Sequence, residues 1–253
     1  MSEMSSQKIF DVLGIPIAAT HLKQAADVIS KWQEHPAPRY VGCRDVASLM
    51  AMVDDPDLLK IAKGAAMNVP DGAPIALVGR IKGYDVTRTC GPDLMEKLLV
   101  DPSYHHIKHF LFGGKEGIAE ILARKFSSLG AQIVGTHCPP FRPLTEEEDA
   151  EVIKKIKDSG AHVVWVGISS PKQDIWMSAH VKQLSMTLIG VGAAFDFHAG
   201  SVDRAPKWMQ TSGLEWSYRL YQEPRRLWRR YLILAPKFIW RVVWHHPKKS
   251  AHG

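Results

Sequence analysis

Cysteine is scarce in this 253-residue sequence, in which Cys43, Cys90 and Cys138 lie far apart. They form no Cys-x-x-Cys pair and no Cys/His spacing that would hold a metal. A small secreted domain built on disulfides is therefore excluded, because such domains need a dense and even-numbered set of cysteines. The cysteine usage fits a chain in a reducing cytosol.

Long apolar runs are also missing. A membrane-spanning helix needs about 18 or more consecutive apolar residues, and the sequence contains no such run. Residues 1–8 are polar and lack the apolar core of a signal peptide, so we expect a cytoplasmic chain. The hydrophobic content of 45% and the charged content of 23% are ordinary for a globular protein. They allow one large α/β domain, or one domain with an appendage.

Acidic residues are nearly absent from the C-terminal part of the chain. Between Arg219 and Lys249 there are nine Arg or Lys residues and one acid, Glu223. The net charge of the whole chain is +6, and the part before Arg219 is nearly neutral, so the basic character belongs to the C-terminus. This distribution indicates an anionic partner, which is nucleic acid, a nucleotide phosphate or anionic lipid.

Short apolar runs alternate with helical patterns through the middle of the chain. Ile107–Phe112, His162–Gly167 and Thr187–Val191 are near-continuous apolar stretches, and each is followed by a glycine-rich or polar turn. Strands of this kind predict an α/β fold with a mostly parallel sheet that is covered by helices on both faces. The turns would then place candidate ligand loops along one edge of the sheet.

Asp71 follows one such run, in Asn68-Val69-Pro70-Asp71-Gly72, and precedes a predicted helix over Ile75–Ile81. An acid at a strand-to-helix turn lies where open α/β sheets carry their chemistry, which suits a general base. Asp is equally a preferred residue for capping the next helix. The position alone leaves both interpretations open.

Two further turns carry small or polar residues. Gly113-Gly114-x-x-Gly117 follows a predicted strand and opens a helix, which suits a diphosphate at the helix N-terminus or a plain tight turn. Ser169-Ser170-Pro171-Lys172-Gln173-Asp174 brings hydroxyls, a positive charge and an amide together, which suits a sugar or diphosphate or a polar entry to a helix. Asp196 lies in an apolar run and either binds a sugar hydroxyl or ties down its own loop.

No metal site and no cofactor site is predicted. Asp55-x-Asp57 has the form of a pair that holds a divalent metal on a nucleotide diphosphate, but Pro56 and the apolar residues that follow favour a helix cap. The neighbouring histidines at His105-His106 and His245-His246 have no carboxylate partners nearby, and we expect them to be solvated.

The C-terminal part combines aromatic and basic residues. Five of the eight tryptophans lie there, at Trp208, Trp216, Trp228, Trp240 and Trp244. They are interleaved with arginines, and Pro236 is expected to interrupt the helical pattern. Such helices lie in the interface of an anionic membrane. Nucleic acid would also suit the basic stripe, and a core helix with a solvated basic face is a third interpretation.

These motifs together resemble the WecG/TagA/CpsF glycosyltransferases, known as glycosyltransferase family 26. The matching stretches cover most of residues 9–231, and the later ones are long and specific. They are Val69-Pro70-Asp71-Gly72-x-Pro74, Arg88-x-x-Gly91-Pro92-Asp93-Leu94, Gly167-x-Ser169-x-Pro171-Lys172-Gln173-Asp174, Gly190-Val191-Gly192-Ala193-Ala194-Phe195-Asp196-Phe197, Arg204-Ala205-Pro206-x-Trp208-Met209, Gly213-Leu214-Glu215-Trp216, Arg219 and Glu223-Pro224-Arg225-Arg226-Leu227.

The resemblance implies an inverting, metal-independent transfer of a sugar from a UDP-sugar to a polyprenyl-diphosphate-linked saccharide in cell-surface or exopolysaccharide synthesis. It also implies a Rossmann-like core, here residues 1–203, and a helical membrane-binding appendage, here residues 204–253. The protein would then lie on the inner face of the bacterial cell membrane, and family members self-associate. The rival readings are a non-catalytic module that binds a UDP-sugar or lipid, and a nucleic-acid-binding protein. We expect no nucleic acid partner, because the body carries no nucleic-acid module.

The resemblance also assigns roles to single residues. Asp71 matches the proposed base, Gln173 matches a residue implicated in the site, and tail arginines matching Arg219, Arg226 and Arg229 are thought to reach the diphosphate. The other candidate substrate-binding residues are Cys43, Asp45, Arg88, Asp93, Gly113, Gly114, Ser169, Lys172 and Asp196.

One stretch departs from the family. Many members carry Thr-x-Asn where this sequence has Cys43-Arg44-Asp45. An aspartate accepts hydrogen bonds from sugar hydroxyls but cannot donate as an amide does. The usual N-acetylmannosamine donor is therefore in doubt, and other members transfer glucose or N-acetylmannosaminuronic acid.

Overall fold

A six-stranded, fully parallel sheet forms the centre of the protein. The computed structural model describes residues 7–206, 208–209 and 213–244. The strands are β1 Ile9–Val12, β2 Ile15–Ala18, β3 Arg39–Arg44, β4 Met67–Pro70, β5 Lys108–Gly113, β6 Gln132–His137, β7 Val163–Gly167 and β8 Thr187–Gly190. The order across the sheet is β4-β3-β8-β7-β5-β6, and β1 and β2 pair separately as an antiparallel hairpin. The predicted parallel α/β fold is confirmed.

Helices cover both faces of this sheet because its strands are apolar on both sides. The helices of the sheet region are α1 Leu22–Trp32, α2 Val46–Asp54, α3 Pro56–Gly64, α4 Ala73–Ile81, α5 Gly91–Val100, α6 Ile118–Ser127, α7 Glu146–Asp158, α8 Lys172–His180 and α9 Ala194–His198. Within β5, Leu111 packs with α1, α5 and α6, whereas Phe110 and Phe112 pack with α7 and α8 on the opposite face.

A third apolar cluster lies beside the sheet, where the β1–β2 hairpin packs with α2, α3 and α4. It includes Phe10 from the hairpin, Leu49 from α2 and Ile75 from α4. Phe238, from the C-terminal part of the chain, is buried in the same cluster. The chain from residue 204 onward (the tail) therefore packs against the preceding sheet region (the body) through apolar contacts as well as ion pairs.

The predicted helix cap at Asp55 is confirmed. Asp55 caps α3 by accepting hydrogen bonds from the backbone N–H groups of Asp57 at 2.9 Å and Leu58 at 3.2 Å. Thr145 and Glu148 form a capping box at the start of α7. The helix-cap interpretation of Asp55-x-Asp57 is therefore confirmed for Asp55.

Helices also make up the described C-terminal part. They are α10 Glu215–Gln222, α11 Pro224–Trp228, a π-helical segment Arg229–Leu234 and α12 Ala235–Trp244. The expected interruption at Pro236 is wrong, because the helical path continues through it. Proline lacks the N–H that an α-helical turn requires, and the wider π-helical turn before it accommodates this loss. Among the described residues, no helix is both long and apolar enough to cross a bilayer.

Candidate active site

Asp71 lies at the carboxyl edge of the sheet, immediately after β4. Its backbone N–H donates to the carbonyl of Arg44 at the end of β3, at 2.8 Å, and the carbonyl of Pro70 accepts from Thr89, also at 2.8 Å. Gly72 follows with φ of +155°, a conformation that favours glycine. These contacts fix the turn and hold the Asp71 side chain at the edge where parallel sheets bind ligands.

The Asp71 side chain does not cap the helix that follows it. Gly72 occupies the N-cap position of α4, and no side chain caps this helix. The Oδ2 atom of Asp71 instead accepts a long hydrogen bond of 3.4 Å from the N–H of Gly91, the first residue of α5. The capping interpretation is therefore wrong, because the chain turns at Gly72 and directs the carboxylate toward a different helix.

The pKa of Asp71 is raised from 3.8 to about 6. Burial is the largest cause, and the neighbouring carboxylate of Asp45 adds to it. Arg88, the N–H of Gly91 and Arg230 act in the opposite direction. A carboxyl group with a pKa near 6 is mostly ionised at neutral pH yet is a stronger base than an ordinary aspartate, which suits proton abstraction.

Asp45 and Cys43 lie beside this turn, at the end of β3. Asp45 caps α2, and its Oδ1 accepts from the N–H of Ser48 at 2.7 Å. Its Oδ2 accepts from the guanidinium of Arg230 in the tail. Burial, followed by the charge of Asp71, raises the pKa of the buried Cys43 thiol well above its usual value. Cys43 therefore presents a neutral thiol, and both Asp45 oxygens already have partners.

Arg88 and Asp93 belong to an ion-pair network that joins the body to the start of the tail. Arg88 pairs with Glu215 of α10 at 2.5 Å. Asp93 pairs with Arg204 at 2.6 Å, and Arg204 approaches Glu215 at 3.6 Å. Cys90 donates its thiol hydrogen to Asp93 at 2.9 Å. The two predicted substrate-binding residues are thus held by protein partners close to Asp71.

Gln173 is buried at the start of α8, where its Oε1 accepts from the N–H of Gly192 at 2.9 Å. This contact ties the β7–α8 loop to the β8–α9 loop. Its neighbour Asp174 forms a fully buried ion pair with Arg44 at 2.5 Å. Ser169, with φ of +68°, and Lys172 are exposed at the rim. The predicted cluster therefore has a buried scaffold and an exposed polar rim.

Gly113 and Gly114 are explained by close packing. A Cβ atom at Gly113 would lie 2.6 Å from the backbone of Gly167 in β7. The N–H of Gly114 donates to the carbonyl of Gly167 at 3.0 Å. These contacts favour the tight-turn interpretation, and the phosphate role of this turn stays a prediction.

Asp196 lies in α9 with a buried carboxylate oxygen, Oδ1, that has no hydrogen-bond partner among the described residues. Its backbone carbonyl accepts from Ser201 at 3.0 Å and Val202 at 3.3 Å, so the backbone rather than the side chain closes the loop. Buried acceptors without partners are costly. The role of Asp196 in binding a sugar hydroxyl stays a prediction.

The predicted tail arginines lie at different distances from the body. Arg219 stacks over the ring of Phe197, with its guanidinium carbon 5.1 Å from the ring centre, and pairs with Glu223 at 3.7 Å. This places Arg219 beside α9, the helix that carries Asp196. Arg229 is exposed and lies over Trp228, 5.4 Å from the ring centre. The side chain of Arg226 falls outside the described part of the structure.

Sequence reasoning missed Arg230, Arg204 and Glu215 as site residues. Arg230 is adjacent to Arg229 in the sequence, and only the fold shows that Arg230 is the one that contacts Asp45. Arg204 and Glu215 lie inside the motif stretches Arg204-Ala205-Pro206 and Gly213-Leu214-Glu215-Trp216, but these motifs do not indicate that the two side chains approach each other. No group of three or more metal-ligating side chains is found in the described ranges.

A family model described as "Glycosyl transferase WecG/TagA/CpsF family" matches residues 10–252. The match therefore spans both the sheet region and the C-terminal helices. It includes every candidate residue placed above, from Cys43 to Arg230.

Proposed function

Since the chain belongs to the WecG/TagA/CpsF family of glycosyltransferases, we propose that it moves a sugar from a UDP-sugar to a polyprenyl-diphosphate-linked saccharide. The transfer inverts the anomeric centre, uses no metal and serves cell-surface or exopolysaccharide synthesis. The observation that supports this most is Asp71, a carboxylate at the ligand edge of the sheet whose pKa is raised to about 6.

The proposed reaction is a single displacement with Asp71 as general base. Asp71 takes the proton of the acceptor hydroxyl while the hydroxyl oxygen attacks the anomeric carbon of the donor. The bond from that carbon to the UDP oxygen breaks on the opposite face, and UDP departs with the electron pair. General-base assistance of this kind typically contributes about 10²–10⁴-fold to the rate.

Positive charge for the departing diphosphate comes from the tail in this proposal. Arg219 beside α9, together with Arg226 and Arg229, would meet the phosphate oxygens. The planar guanidinium group donates two parallel hydrogen bonds to phosphate, so arginine suits this task better than lysine. Fixed positive groups aimed at the developing charge lower the barrier of such a step.

The donor is proposed to lie between Asp71 and the loops after β7 and β8. Asp196 in α9 contributes a carboxylate beside these loops, and Ser169 and Lys172 supply exposed polar groups at the rim. The donor sugar is of the N-acetylmannosamine, N-acetylmannosaminuronic acid or glucose type. Cys43 and Asp45 provide no amide donor at the position where many relatives carry asparagine.

The C-terminal helices are proposed to bind the membrane that holds the acceptor. Large apolar side chains are exposed along them, including Trp240 at 58%, Trp244 at 71% and Leu232 at 60%. The sequence places arginines and lysines among these side chains. This combination is typical of helices that lie in the interface of an anionic bilayer. The protein would thereby act as a peripheral protein on the inner face of the cell membrane.

Turnover tests this proposal directly. Radiolabelled UDP-sugars are offered with a polyprenyl-diphosphate-linked acceptor in vesicles, and labelled lipid product is counted. We expect wild type and the control Asp57→Asn, an exposed acid in α3, to turn over at equal rates. Asp71→Asn should lose about 10²-fold or more. Near-wild-type turnover by Asp71→Asn would remove Asp71 from the role of base, and binding of UDP-sugar without any turnover would indicate a binding module.

A further inference from the structure

The tail contacts α2 at both of its ends through ion pairs. At the N-terminal end, Arg230 of the π-helical segment pairs with Asp45. At the C-terminal end, Arg241 and Lys237 of α12 pair with Asp54, at 2.5 and 3.4 Å. The tail and α2 therefore run side by side, and only the N-terminal pair lies next to Asp71.

Two carboxylates, Asp45 and Asp71, share the ends of the neighbouring strands β3 and β4. The register pairs Arg44 with Pro70, so the residues that follow them, Asp45 and Asp71, leave the sheet side by side. Like charges this close disfavour ionisation of each other. Asp45 is named among the causes that raise the pKa of Asp71, and Arg230 among those that lower it.

The other ionisable groups that face Asp71 come from β3 and from the loop before α5. They are Cys43, Arg88 and Cys90, and Glu215 and Asp93 act on the same region by pairing with Arg88 and Arg204. The two thiols have raised pKa values because they are buried, so they stay uncharged. Arg88 already pairs with Glu215. The charges of Asp45 and Arg230 therefore act on Asp71 separately from the ion-pair network of Arg88, Glu215, Arg204 and Asp93.

We propose that Asp45 and Arg230 are positioning residues for Asp71, acting as a charge pair rather than as ligands of the sugar. Asp45 anchors Arg230 at the edge of the sheet, and Arg230 offsets the negative charge that Asp45 places beside the base. The proposal rests on the proposed function, because adjusting the pKa of Asp71 has a purpose only if Asp71 acts as a base. Its physical content, an ionic influence on Asp71, holds without any substrate.

The geometry supports this assignment in two ways. Both oxygens of Asp45 accept hydrogen bonds from protein partners, the Ser48 N–H and Arg230, so protein contacts fix the orientation of this carboxylate. Arg230 is held in place by more than this pair, because Phe238 is buried in the third apolar cluster and Arg241 pairs with Asp54. Removing one charge should therefore leave the tail docked.

The test is a titration of the Asp71 carboxyl group itself. The ¹³C signal of the Asp71 carboxyl carbon is followed against pH in the full chain without substrate, and it is assigned by its loss in Asp71→Asn. Asp45→Asn keeps the cap on α2, because asparagine caps helices as well as aspartate. Arg230→Gln removes the positive charge, and Arg230→Lys preserves it. Arg241→Gln is the matched control, with the same substitution in a tail ion pair at the far end of α2.

We expect shifts of opposite sign. The Asp71 midpoint should move to lower pH in Asp45→Asn and to higher pH in Arg230→Gln, each by roughly half a pH unit or more. Arg230→Lys should return it toward wild type, and Arg241→Gln should leave it unchanged. Shifts of the same sign, no shift, or an equal shift in Arg241→Gln would overturn the proposal. Because no turnover is measured, failure here is separate from failure of the proposed glycosyl transfer.

Discussion

Asp71 is placed where its charge is unfavourable for the fold. Its pKa of about 6 lies above its ordinary value of 3.8, so the folded protein holds the proton more tightly than the unfolded chain does. Above pH 6 the carboxylate is ionised in both states, and the full penalty applies to the folded state. As pH falls from 6 to 3.8, the folded state takes up the proton first and the penalty disappears. Strained or poorly solvated groups of this kind cluster at functional sites.

The neutral isostere should therefore stabilise the protein at high pH. Asp71→Asn is expected to raise the free energy of unfolding at pH 8 by about 1 to 3 kcal/mol, the lower end allowing for the solvent that reaches this half-buried side chain. At pH 4 the gain should be nearly gone. Urea unfolding of both proteins at the two pH values measures this difference. A gain that is absent at pH 8, or equal at both pH values, would contradict the raised pKa.

At the same scale, the sequence identified most of the residues that gather at the sheet edge but not their partners. Asp71 was predicted from its strand-end position, Gln173 from the family resemblance and Asp196 as an acid in an apolar run. A parallel sheet collects the carboxyl ends of its strands at one edge. The pairing of Asp45 with Arg230 joins residues from β3 and the distant tail. No local pattern encodes such a contact, because it depends on how the tail packs.

Elements of the body were predictable because their patterns are local. Apolar runs identified β4, β5, β7 and β8, and Asp55 identified the start of α3. The order of the strands was not predictable. β3 pairs with β8, from Arg39 with Thr187 to Gly42 with Gly190, and nothing in either stretch indicates this neighbour. The expected interruption at Pro236 was wrong, because the π-helical turn before it accommodates a residue that ordinarily ends a helix.

Two adjacent residues of α12 should have separable roles. Phe238 is 2% exposed in the third apolar cluster, whereas Ile239 is 59% exposed. Phe238→Ala should cost about 3 kcal/mol of stability, because it leaves a cavity in that cluster. It should also speed hydrogen exchange of the backbone amides in α12, as a detached helix opens more readily.

Ile239→Ala is the matched change on the opposite side of the helix. It should alter the unfolding free energy by less than about 0.5 kcal/mol, since the side chain is mostly in solvent. In the proposed membrane contact the Ile239 side chain faces the bilayer, so Ile239→Ala should instead weaken binding to anionic vesicles. Equal loss of stability from both substitutions would show that α12 does not pack on the body as described.

The whole molecule separates a nearly neutral body from a basic, aromatic tail. Attraction between exposed charges and an anionic surface fades with salt, because the screening length falls to about 8 Å at physiological ionic strength. The family match spans both parts, which agrees with a tail that belongs to the working protein. The boundary after residue 203 remains our proposal for where the two parts meet.

Removal of the chain from Gly213 onward should therefore release the protein from anionic vesicles. We expect the full chain to float with vesicles that contain anionic lipid and to dissociate as NaCl is raised, while the truncated chain stays in solution at all salt concentrations. Neutral vesicles serve as the control surface. A truncated chain that still floats would place the membrane contact elsewhere, and tighter binding to duplex DNA than to vesicles at physiological salt would favour a nucleic-acid partner.

The central claim, that Asp71 is the base of a glycosyl transfer, is tested most directly by the pH dependence of kcat/KM. Because the base must be ionised and its pKa in the free enzyme is about 6, kcat/KM should be level above pH 7 and fall about tenfold per pH unit below pH 6. The residual activity of Asp71→Asn should lack this fall. A wild-type profile that stays level down to pH 5, or the same fall in Asp71→Asn, would contradict the account.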